Sequence, residues 1–119
     1  MSDLISPQPD PIKNDLPASW DLVADDFRAA FGDSEGPVLA VLMNMRERDR
    51  FGLDKYGVRI QPQNGRDNLV DAYQELLDGA VYFRSALYES ETPELRAMYD
   101  RTLALIFELR TAIWGRDGA

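Results

Sequence analysis

From Trp20 onward, apolar residues recur three and four positions apart, the period of helices that lay one side against a core. Four stretches carry the pattern. In SWDLVADDFRAAFG the stripe is Trp20, Val23, Ala24, Phe27, Ala30 and Phe31, with Ser19 expected as N-cap and Gly32 as the stop. In GPVLAVLMNMRERDRFGLDKYG, Pro37 suits the first turn and Gly57 the end. Its broad apolar face holds Val38, Leu39, Val41, Leu42, Met45, Leu53 and Tyr56, and Asp49 falls in the middle of that face. After a loop, VRIQPQNGRD, in which Asn64-Gly65 signals a turn and Asp67 a cap, residues 68–89 align Leu69, Tyr73, Leu76, Ala80, Phe83 and Leu87. The last helix is expected from Pro93 to about Trp114, capped by Thr92, with Leu95, Met98, Tyr99, Ile106, Leu109 and Ile113 on one face. The short link SET between the last two helices forces an antiparallel hairpin.

These elements predict an all-α fold, a four-helix bundle over residues 18–119. Residues 1–17 carry prolines at 7, 9, 11 and 17 and few apolar anchors, so they are expected as a flexible or docked tail. At 119 residues the chain is long enough for one domain.

Charge and absences then narrow the chemistry. With 21 acidic against 13 basic side chains the net charge is -8, which opposes DNA or RNA as a partner. There is no Cys and no His. Thiolate and imidazole catalysis and the usual zinc ligands are thereby excluded, so catalysis would fall to carboxylates holding Mg²⁺ or Mn²⁺. An acidic, proline-bearing start and the lack of an 18-residue apolar run make the cytoplasm the expected location and a membrane unexpected.

Two acidic features stand out. Asp71, Glu75 and Asp78 share a stripe roughly opposite the apolar side of their helix, the ordinary place for solvated acids. Yet neighbouring like charges repel, and Ala72, Gly79 and Ala86 beside them allow close approach of a helix, a subunit or a ligand. Asp49, inside an apolar face, needs either a salt bridge, with Arg46, Arg50 or Arg84 as candidates, or a metal ion.

The stretch ELLDGAVYF, residues 75–83, resembles the second acidic motif of the all-α nucleoside triphosphate pyrophosphohydrolases, the MazG-like superfamily, in which Glu-x-x-Asp leads an apolar helix. Glu75 and Asp78 match its acids. The family's first motif, Glu-x-x-Glu, corresponds to Arg46-x-x-Asp49, so Arg46 departs from it. The resemblance spans residues 46–89 and extends to short phage and bacterial proteins. It implies Mg²⁺ (or Mn²⁺) held by Asp49, Glu75 and Asp78, a proton taken by Asp71 or Glu75, and hydrolysis of a nucleoside triphosphate to pyrophosphate. Lys55, Arg59 and Arg66 are then the expected phosphate contacts, and a homodimer or higher oligomer would close the groove. A competing expectation is a non-catalytic helical oligomeric module that binds a nucleotide or a protein, and a third is a purely structural oligomer.

Overall fold

In a computed structural model describing residues 4–119, four helices form: α1 (Ser19–Phe31), α2 (Gly36–Tyr56), α3 (Asn68–Glu89) and α4 (Pro93–Asp117). The all-α expectation holds, and no strand occurs among the described residues. Nor, among them, is any helix long and apolar enough to cross a membrane.

The helix ends follow local chemistry, with one departure. The Asp67 side chain caps α3 by accepting from the Leu69 and Val70 N–H groups at 3.1 and 3.2 Å, and Thr92 caps α4 by accepting from Leu95 N–H at 3.1 Å. Gly57 ends α2 in the left-handed conformation at φ 75°. Ser19, however, is not the cap of α1: Ala18 takes that position, and the Ser19 N–H donates to the Ile60 carbonyl at 2.8 Å. Helix α4 runs past Trp114 to Asp117, since nothing before Gly118 interrupts it.

By its contacts the chain divides into two compact units, residues 9–66 and the remainder, residues up to Gln8 with Asp67–Ala119. In the first, α1 packs on α2 and the buried side chains include Ala18 and Leu42. The 58–66 loop is fastened there to the chain before α1. The Gln61 amide donates to the Asn14 and Leu16 carbonyls, both at 2.8 Å, and accepts from Asn14 N–H at 3.0 Å. In return Asn14 Nδ2 donates to the carbonyls of Pro62 and Gln63 at 2.8 and 3.1 Å. Gly65 suits this loop because its φ is +85°, a conformation that strains other residues, and the Ile12 side chain packs beside it.

In the second unit α3 and α4 fold back on each other across Ser90–Thr92 around Val70, Leu87 and Ile113, which are buried. The first residues dock on α3: Gln74 Nε2 donates to the Leu4 and Ser6 carbonyls at 3.0 and 3.1 Å. The Gln8 amide pairs with both main-chain groups of Asp67, donating to its carbonyl at 2.8 Å and accepting from its N–H at 2.6 Å.

Asp67 joins cap and ion pair, because Arg116 Nη2 lies 2.8 Å from its Oδ2. The Arg116 guanidinium, chiefly, holds the Asp67 carboxyl below its ordinary value, with the Val70 and Leu69 N–H groups assisting. Replacing Asp67→Ala is expected to cost about 1 kcal/mol at pH 7. A carboxyl whose folded value is depressed stabilises above its unfolded value near ~3.9 and ceases to as pH falls through the folded value. The gap between parent and variant in urea midpoint should therefore be full at pH 7 and shrink below about pH 4.

Candidate functional site

A cleft of about 570 Å³ lies between α1 and α2, in the size range of ligand pockets. Its apolar lining comes from Trp20, Leu39, Leu42 and Met43, and its polar end from Asp21, Asp49 and Arg59. Those three form a clamp. Arg59 Nε donates to Asp49 Oδ1 and Oδ2 at 3.2 and 3.0 Å, and Nη2 to Asp49 Oδ2 at 2.6 Å. The outer edge of the same guanidinium holds Asp21, with Nη1 at 3.1 Å from Oδ2 and Nη2 at 2.7 Å from Oδ1. One planar cation thus joins carboxylates from α1 and α2, the two-pronged geometry for which Arg is suited and Lys is not.

The electrostatics follow. Hydrogen bonding from Arg59 lowers the Asp21 pKa, while Asp49 first and Asp21 second raise that of Arg59. Asp49 has a side chain only 17% exposed, against 60% for Asp21, so Asp49 is the acid that needs its counter-ion.

The salt-bridge alternative for Asp49 is therefore the one observed, with a different partner from the three expected. Gly57 turns the chain sharply after α2 and returns residue 59 to residue 49. A sequence signal existed in the glycine stop followed two residues later by an arginine, but helical spacing from Asp49 could not reveal it.

The other expected site residues fall in both units. Asp49 belongs to the first unit, whereas Asp71, Glu75 and Asp78 belong to the second. Asp71 accepts a hydrogen bond from Gln8 Nε2 at 2.7 Å, and Glu75 and Asp78 are exposed. Lys55 places its ammonium 5.2 Å from the centre of the adjacent Tyr56 ring, and Arg66 Nη1 donates to the Pro9 carbonyl at 2.6 Å. Among the described residues no group of three or more acidic side chains is placed to hold a metal ion. Both oxygens of Asp49, expected as a ligand of Mg²⁺, accept hydrogen bonds from Arg59. Arg46, which stands where the resembled motif has its first acid, lines the cleft between α1 and α2.

The cleft lining mixes apolar side chains with acidic and basic ones, among them Asp25, Arg28 and Asp33. A second, shallower concavity of about 550 Å³ lies on α3 and α4, lined by Val81, Arg84, Tyr88 and Tyr99 among others. Compared with protein-family models, curated proteins and solved structures, the chain matches none.

Proposed function

We propose that this chain is a non-catalytic helical module that works by association with protein, a second copy of itself included. The observation that carries this reading is the number of large apolar side chains left in water: Tyr88 is 86% exposed, Phe107 76%, Tyr82 71% and Trp114 59%. Each aromatic side chain can bury ~150–250 Å², and leaving that area hydrated forgoes about 25 cal/mol per Å². Contiguous apolar surface marks sites of association, and Phe107 and Trp114, seven residues apart, share one side of α4.

The clamp supports the same reading. Nucleotide pyrophosphohydrolysis, the activity implied by resemblance, would require Arg59 to release Asp49 and to leave that acid uncompensated in an apolar face. Of the three cations expected on phosphate, Arg59 and Arg66 already make contacts within the protein.

Two measurements on the full chain test the proposal. Pyrophosphate release from the common nucleoside triphosphates with Mg²⁺ or Mn²⁺ is expected to stay at the blank level, and sedimentation velocity is expected to show association that grows with concentration. Release that falls when Glu75→Gln is introduced would establish catalysis and overturn the non-catalytic reading. A single monomeric boundary at every concentration would remove self-association.

A further inference from the structure

Six positions on α4 repeat at spacings of four and three: Arg96, Asp100, Leu103, Phe107, Arg110 and Trp114. At 100° per residue they fall within one narrow stripe, beside the side that packs on α3, and this is the spacing of a coiled-coil seam. Their apolar members face water, with Leu103 43%, Phe107 76% and Trp114 59% exposed. The stripe continues for about 27 Å along the helix.

Its order is self-complementary. When two copies of α4 lie antiparallel with the dyad level with Leu105, Leu103 meets Phe107 of the other copy, Asp100 meets Arg110, and Arg96 meets Trp114. Each pairing occurs twice by symmetry, giving an apolar centre, two ion pairs and two cation–π contacts. In the parallel arrangement each residue would face itself, setting arginine against arginine and aspartate against aspartate. Asp100 is exposed and its charge acts on Arg96 one turn earlier, while Arg96 is itself paired with Glu91 and Arg110 Nη1 donates to the Ala119 carbonyl at 3.2 Å, so the seam would draw on side chains that now make only contacts within their own helix or its ends. The Arg110 guanidinium already lies 5.6 Å from the centre of its own Trp114 ring, inside the stripe.

We infer that the second copy of the chain docks on this stripe, as an antiparallel pair of α4 helices about a twofold axis. This rests on the self-association half of the proposed function and names its surface. The interface is small for a stable dimer, so dissociation is expected on the order of 10 µM.

Charge reversal tests it in the full chain by sedimentation equilibrium, with helicity checked by circular dichroism. Asp100→Arg alone and Arg110→Asp alone should each weaken association at least tenfold, because each sets two like-charged pairs across the axis. The double variant restores opposite charges and should return association to within about threefold of the parent. Phe107→Glu, at a position exposed in the single chain, should abolish it without loss of helicity. A parent that stays monomeric at 100 µM, well above the expected dissociation constant, overturns self-association altogether. A dimer indifferent to the single reversals, or a double variant no better than either single one, overturns this seam and leaves self-association through another face standing.

Discussion

Ile113→Ala is expected to be the most destabilising single truncation in the α3–α4 unit, at about 3 kcal/mol. Ile113 has no exposed surface, and its neighbours in burial, Leu87 and Val70, are 3% and 4% exposed. Removing three carbons there forfeits their transfer free energy and leaves a cavity that two long helices cannot easily close. Few fully buried side chains hold this unit, so the loss is a large part of its stability. At ~4–8 °C per kcal/mol for a unit of this size, the melting temperature should fall by about 12–24 °C. Phe107→Ala on the same helix is the control: at 76% exposure it should cost under about 0.5 kcal/mol at submicromolar concentration, below any association. Thermal melts followed by circular dichroism check both. A loss under 1 kcal/mol at Ile113 would contradict the tight packing of α4 on α3 at this position.

Arg59→Met should cost about 2 kcal/mol, through the acid it abandons rather than through its own contacts. Asp49 lies on the packed side of α2 with Leu42 and Met45, its side chain 17% exposed, and all its described hydrogen bonds come from Arg59. Asp21 is largely exposed and can return to water. The double change Asp49→Leu with Arg59→Met removes charge and counter-ion together and should recover most of the loss, because an apolar pair needs no compensation. Urea denaturation of the parent, both single variants and the double variant gives the coupling directly. Equal losses in the Arg59 variant and the double variant would mean that the loss does not come from the abandoned Asp49 carboxylate.

Helical periodicity made the elements legible. The α3 boundaries at 68 and 89 followed from Asp67 and from the loss of pattern before Thr92, and Pro37 and Pro93 marked two further helix starts. The embedded position of Asp49 was also legible, since angular spacing alone placed it among Leu42 and Met45. Its partner was not, because an arginine ten residues away lies beyond a left-handed turn whose direction no periodicity encodes. Gln8, Asn14, Gln61 and Gln74 left no signal at all. Most of their bonds run to main-chain atoms remote in sequence, and neither partner carries a pattern that marks it. The acidic stripe on α3 shows the same limit: Glu75 and Asp78 are exposed while Asp71 accepts from Gln8, a partner that helical spacing does not specify.

The glutamine fastenings have a consequence for tolerance to sequence change. Gln61 grips the peptide groups of Asn14 and Leu16 rather than their side chains, so the Leu16 side chain, which is exposed, is free to vary while Gln61 is not. Glutamate in its place keeps the acceptor and loses both donors. The leading segment is thus held as thread is held by a stitch, largely through its backbone, and drift elsewhere in its composition would leave the seat intact so long as the four amides that do the sewing, Gln8, Asn14, Gln61 and Gln74, persist.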